Sequence, residues 1–197
     1  IPLFAELPST EDSSRQQMHY DRVAVAYVAN LGYPHTRVYG AYLDDAVRQA
    51  AGDGGLGLTL EVCCGNGEAF GLLGDRIRTG IGVDISSAML ARADAHCDPA
   101  RVAFVQGDAT RLPIAEGCAD TVVMLGGIHH VNDRRALFGE IARVLRPGGR
   151  FIFREPLDDF WLWRAIRKVI YTLSPALDEK TERPLRTSET VPVLERA

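Results

Sequence analysis

Five short apolar runs recur along the chain, at about 58–63, 80–84, 102–105, 120–125 and 149–154. Runs of this length, bounded by glycine, proline and polar clusters, read as strands buried on both faces. The stretches between them carry helical spacing. Ser86 or Ser87 can cap a helix running to about Cys97. Asp133 can cap another, which sets Leu137, Phe138, Ile141, Val144 and Leu145 on one face and stops at Pro147-Gly148-Gly149. Upstream, 15–30 and 36–51 read as helices, the second with Val38, Tyr42, Ala46 and Ala50 near helical spacing, and GDGGLG at 52–57 breaks the chain before the first strand. Strands alternating with helices predict an α/β fold, a doubly wound and mostly parallel sheet with helices on both faces.

The ends have a different texture. Residues 1–14, with Pro2, Pro8 and a polar STEDSS run, read as a mobile arm. Residues 157–173, LDDFWLWRAIRKVIYTL, are amphipathic: Leu162, Ile166, Val169, Ile170 and Leu173 share one helical face, and Arg164, Arg167 and Lys168 lie elsewhere. Such a helix ordinarily packs on its own domain; a lid over a hydrophobic substrate and a membrane-surface helix are the other readings. The chain thus divides into an arm at 1–14, N-terminal helices at 15–52 that form a lid or cap, an α/β core at 53–156, and the amphipathic helix with a C-terminal segment at 157–197.

Composition narrows the classes. With 46% apolar and 24% charged residues in 197, the chain suits one globular domain. A net charge of −4 lacks the clustered basic footprint that nucleic acid requires, so no nucleic-acid partner is expected. No apolar run approaches the length of a membrane span, and no signal-peptide pattern opens the chain. Cys63, Cys64, Cys97 and Cys118 show no metal-ligand spacing, so no metal is expected, and reduced thiols in a cytoplasmic setting are the default. Oligomeric state is not legible.

The most informative stretch is LEVCCGNGEAF at 60–70. A strand ends in a tight glycine turn, where a ligand can approach the backbone closely. Glu61 stands just before the turn. A phosphate loop prefers bare N–H groups with no carboxylate nearby; a cationic, amino-acid-like ligand can use the carboxylate. Asp84 in GIGVDIS, Asp108 in VAFVQGDATRLP, CADTVVMLGGIHHV and IARVLRPGGRFIFREP follow in order. Together these segments resemble a class I S-adenosylmethionine-dependent methyltransferase of the small-molecule type, over roughly residues 20–156, with the Rossmann-like sheet of that family. Cys63 stands where the family's first glycine is usual, before Gly65 and Gly67. The chain stops at VPVLERA, where the resembled family usually continues into its last two strands.

The resemblance implies S-adenosylmethionine as cofactor and a set of contacts. Glu61 reaches the methionyl amino group or holds the glycine turn made by Cys63, Gly65 and Gly67. Asp84 accepts the ribose hydroxyls. Ile85 and Met89 line the adenine pocket. Asp108 and Ala109 meet the adenine amino edge. Leu125, at the end of the fourth strand, and Tyr27 complete the cofactor set. Catalysis is sparser, because displacement at a sulfonium needs alignment more than activation. His129 and His130 are the candidate bases, and Tyr20 and Tyr27 are placed to close over cofactor and substrate. The acceptor is expected to be a small apolar or aromatic molecule, held between residues 15–40 and 157–173. No N/D-P-P-Y/F motif marks a nucleobase amine as target, and no Pro-Cys pair marks cytosine. Two alternatives remain beside methyl transfer. One is a nicotinamide-dependent oxidoreductase, whose G-x-G-x-x-G fails at Phe70. The other is a catalytically silent methyltransferase-like binding protein.

Overall fold

The computed structural model describes residues 10–31, 33–95, 97–173 and 183–196. Its centre is a sheet of five strands, β1 (Gly57–Val62), β2 (Ile77–Asp84), β3 (Val102–Gln106), β4 (Ala119–Leu125) and β5 (Leu145–Arg154). They lie in the order β3-β2-β1-β4-β5, every pair parallel. The α-helices among the described residues are α1 (Glu11–Leu31), α2 (Pro34–Ala51), α3 (Glu68–Leu73), α4 (Ser87–Asp94), α5 (Arg134–Val144), α6 (Trp161–Leu173) and α7 (Thr187–Leu194). The chain builds outward from β1 to β3, then crosses to β4 on the other side of β1. Such a reversal opens a crevice at the carboxyl ends of β1 and β4, where ligands of open α/β sheets bind.

Alternation along the strands produces two cores. Leu60, Val62, Val83, Val122 and Met124 point to one face and pack with Leu137, Phe138 and Ile141 of α5. Val123 and Leu125 point to the other, with Leu56, Phe70, Leu73, Leu90, Phe104 and Ile152. On that second face β2 carries Gly80 and Gly82; a Cβ there would stand 2.5 Å from the Phe70 ring and 2.5 Å from the Phe104 ring, respectively. The missing side chains make room for an edge-to-face pair of rings, centroids 5.9 Å apart.

Several local expectations are corrected. Positions 11–14 are not part of an arm; they form the first turn of α1. Thr10 Oγ1 accepts the Ser13 N–H at 3.0 Å, and Glu11 and Asp12 lie in the first turn, so the polar run is a helix start. Residues 1–9 lie outside the described residues. Helix α5 stops at Val144, and Leu145 pairs with Ala119 as the first residue of β5. The register then jumps to Arg150 opposite Thr121, so Pro147-Gly148-Gly149 forms a bulge inside the strand, as the missing proline N–H requires. Ser86 does cap α4, accepting from Met89 N at 3.2 Å, but the helix ends at Asp94 rather than Cys97. The amphipathic segment becomes helical at Trp161, and its Leu162, Ile166 and Val169 are 40–57% exposed and belong to neither core. Helix α7 carries Pro192 within it and has no apolar periodicity that would predict it.

Candidate functional site

The glycine turn after β1 is the hub of the crevice. Cys64 N–H bonds back to Val83 O at 3.1 Å, and Gly67 N–H to Cys64 O at 2.7 Å. Gly67, in the left-handed region at φ 80°, starts α3. Cys63 also has a positive φ, 53°, the one non-glycine so placed among the described residues. Its neighbour across the sheet is Gly127, where a Cβ would stand 2.6 Å from Cys63 Cβ. The loops after β1 and β4 therefore meet at the floor of the crevice, with a glycine on the β4 side because no side chain fits.

Three strand ends each deliver a carboxylate. Glu61 is 1% exposed; Oε1 accepts the Ala69 N–H of α3 at 2.9 Å, and Oε2 has no partner among the described residues. Burial, then repulsion from Glu68 and Asp84, pushes its carboxyl well above the usual range, against the bond from Ala69 and the more distant Arg154. Asp84 holds two turns together: Oδ2 accepts Gly65 N–H at 2.8 Å and Oδ1 accepts Ser86 N–H at 2.9 Å. Burial raises its pKa, and these backbone bonds partly offset that. Asp108 is oriented by Thr110, whose N–H and hydroxyl both donate to Oδ1, and by Ser13 of α1, which donates to Oδ2 at 2.5 Å.

Helix α1 crosses the crevice and is tied to three loops. Besides Ser13 on Asp108, its Asp21 accepts from Ser86 Oγ at 2.6 Å and from Ala88 N at 3.2 Å. Its Tyr20 hydroxyl lies 2.6 Å from His130 Nε2. The two histidines sit differently. His130 faces the cavity, and His129 lies against it, ring centroids 3.9 Å apart. His129 Nδ1 is 2.7 Å from Glu155 Oε2, and Glu155 Oε1 accepts Ile128 N–H at 2.6 Å.

The crevice encloses a cavity of about 330 Å³, within the range of small-molecule sites. It gathers Tyr27, Glu61, Cys63, Gly65, Asp84, Ile85, Met89, Asp108, Ala109, Leu125 and His130. Gly67 and His129 do not line it; Gly67 shapes the turn and His129 lies behind His130. No described residue of 157–173 lines it either, and the Trp163 side chain lies outside the described ones. Sequence reasoning missed Ser13, Gln16 and Thr110 in the wall and Glu155 behind it. Glu155 had a signal, an acidic residue just past a strand end like the other three carboxylates. Ser13 had none, since only folding brings α1 to β3. The charge of the wall is lopsided. Asp12, Glu61, Glu68, Asp84, Asp108 and Asp133 contribute carboxylates, and no Lys or Arg is among the described lining residues.

Residues 60–153 match the family model described as methyltransferase domain. This stretch is a methyltransferase domain. The methyltransferase domain is similar to demethylmenaquinone methyltransferase of Mycolicibacterium paratuberculosis, 37% identical over 114 residues, 58% of this chain and 48% of that one. It is also similar to 27-O-demethylrifamycin SV methyltransferase of Amycolatopsis mediterranei, 38% identical over 110 residues, 52% and 38% of the two chains. The chain thus spans about half the length of these curated relatives, or less. A solved S-adenosylmethionine-dependent methyltransferase from Thermotoga maritima superposes with a TM-score of 0.71 at 22% identity, covering 91% of this chain and 79% of that one; that likeness speaks to the fold.

Proposed function

We propose that this chain moves the methyl group of S-adenosylmethionine to an oxygen, nitrogen or carbon of a small apolar or aromatic acceptor. The observation that carries the reading is the cavity wall: six carboxylates, no Lys or Arg, and a buried Glu61 oxygen without a partner among the described residues. A nicotinamide dinucleotide would bring its pyrophosphate charge into that field with no cation to receive it, whereas an ammonium or sulfonium is attracted there. When bound, S-adenosylmethionine supplies a methyl group on a cationic sulfur, an electrophile that needs no further activation. Glu61 would take the amino group of its methionine part. Asp84 retains lone pairs on both oxygens for the ribose hydroxyls. Ile85 and Met89 would flank the adenine, with Asp108 and Ala109 at its edge. Cys63, Gly65 and Gly67 shape the turn, and Leu125 and Tyr27 supply wall.

For an acceptor that carries a proton, His130 would be the base; its position on the cavity wall and its 2.6 Å contact from Nε2 to the Tyr20 hydroxyl, a route for proton transfer, support that reading. His129, bonded to Glu155, positions His130 from behind. The acceptor class is supported by the relatives' names, which concern demethylmenaquinone and a demethylrifamycin. Titration calorimetry tests the core of the reading: S-adenosylhomocysteine binds and NAD does not. Asp84→Asn should weaken that binding by about tenfold or more, because charge-assisted hydrogen bonds are worth ~1.5–3 kcal/mol. Binding of NAD alone overturns the reading. Turnover with a panel of apolar acceptors separates an enzyme from a silent binding protein.

A further inference from the structure

We propose that α6 docks this protein on the surface of an anionic lipid bilayer. The helix is strongly two-sided. Leu162, Ile166 and Val169 form one arc, exposed by 42%, 40% and 57%, and Phe160 and Trp161 at its start are exposed by 61% and 66%. Arg164, Arg167 and Lys168 occupy the other side, and α6 contains no acidic residue, although the whole chain carries a net charge of −4. A helix that serves its own core turns its apolar arc inward. Here the described part of the arc stays open and joins neither core. Arg167 is half-buried and donates to Leu157 O, just ahead of the helix, at 3.5 Å, while Arg164 and Lys168 are exposed, so the helix offers both its apolar arc and its cations to the surroundings.

The occupant of that face is read from chemistry. An apolar arc flanked by exposed cations, with Trp and Phe at one end, matches the layering of an anionic membrane surface, where headgroup charge lies beside acyl chains. A protein groove would satisfy the arc alone, whereas an anionic bilayer surface also attracts the exposed Arg164 and Lys168 of the same helix. The helix does not span: 13 residues reach about 20 Å at 1.5 Å per residue, short of the ~30 Å hydrocarbon core, and among the described residues no helix is long and apolar enough to cross a membrane. It therefore lies in the interface plane. Chain path adds a consequence. The strand that leads to α6, β5, ends at Arg154 beside Leu125, at the carboxyl edge where the cavity lies. Docking through α6 would bring that edge near the bilayer, so that an apolar acceptor could pass from lipid to cavity. This last consequence rests on the proposed methyl transfer; the docking itself does not.

The experiment is sedimentation of the purified protein with vesicles of phosphatidylcholine alone, and with added phosphatidylglycerol. The protein should pellet with the anionic vesicles, weakly with the neutral ones, and be released by salt. Arg164→Gln with Lys168→Gln should weaken partitioning about 25-fold, at about fivefold per basic residue near an anionic surface. Ile166→Gln with Val169→Gln should lower it by about tenfold or more. All four positions are exposed, so thermal melts should match wild type. Protein that stays in the supernatant with both vesicles, or apolar variants that pellet like wild type, overturn the proposal. So does a stable dimer in light scattering that Ile166→Gln with Val169→Gln converts to monomer, which would assign the face to a second copy. S-adenosylhomocysteine affinity, measured in the same variants and expected unchanged, keeps a failure of docking distinct from a failure of the proposed activity.

Discussion

Glu61 shows how one residue can carry structure and ligand chemistry together. Its Oε1 holds the start of α3 through Ala69 N–H, while Oε2 is buried with no partner among the described residues. Burial, with Glu68 and Asp84 nearby, raises its carboxyl well above the ordinary 4.5. The folded state therefore binds a proton that the unfolded chain releases, and stability contributed by that proton is lost as pH rises from the unfolded pKa through the folded one. Glu61→Gln has no such proton. Between about pH 5 and 7, wild-type stability should fall relative to Glu61→Gln, by at most ~1.4 kcal/mol per pH unit for one proton. Asp84, raised chiefly by its own burial, contributes to the pH dependence of both curves. Urea melts across that range measure it; parallel curves would mean that Glu61 is ionised in the free fold. Added S-adenosylhomocysteine should reduce the gap, because its ammonium favours the charged carboxylate. Cys63, beside it, holds a left-handed conformation at φ 53° that ordinarily disfavours a side chain by about 1–2 kcal/mol, a local strain placed at the cavity floor.

At the scale of elements, α1 is a strap rather than a packed core helix. Of its apolar residues Ala24 is buried, while Met18, Val25 and Tyr27 are exposed. Its attachments are polar and fall on three loops: Ser13 to Asp108, Asp21 to Ser86 and Ala88, Tyr20 to His130. Elements held by few apolar contacts open at low free energy. Asp21→Ala removes two bonds at the middle of the strap and should destabilise α1 by about 1–3 kcal/mol, part of it from leaving the buried Ser86 hydroxyl without its acceptor. Hydrogen exchange should show faster exchange of α1 amides with β1 and β4 unchanged, and S-adenosylhomocysteine should bind more weakly. Unaltered α1 protection would show that its hold comes from elsewhere.

For the whole molecule, parallel winding decides where chemistry can happen. Glu61, Asp84 and Asp108 come from the carboxyl ends of strands or the turn after one, and the reversal between β1 and β4 opens the space among them. The proposed reaction asks little more of the fold than alignment and a proton acceptor, since a sulfonium is already electrophilic. Methyl transfer to the true acceptor should therefore continue in the presence of a chelator. Loss of activity with EDTA and its return with magnesium would assign a metal to the site. Among the described residues no side chain of α6 belongs to either core, and Leu162, Ile166 and Val169 are exposed.

What the sequence by itself determined is the local and the periodic. Apolar runs separated by capped helical stretches specify a doubly wound sheet, because burial on both faces needs unbroken apolar strands. The glycine turn with Glu61, and acidic residues at the ends of later runs, marked the cavity because strand ends and turns are read from neighbours in the chain. Edges were less legible: β2 begins at Ile77, ahead of its expected start, and β5 runs through a proline bulge, since pairing partners extend a strand beyond its own pattern. Long-range contacts were not legible at all. Ser13 meets Asp108 across 95 residues and Tyr20 meets His130 across 110, and no local pattern encodes either approach. The sequence set Leu162, Ile166 and Val169 on one side of a helix. Only the tertiary structure decided that this side faces outward, because a helix's apolar stripe records that it has a preferred side and not what lies against it.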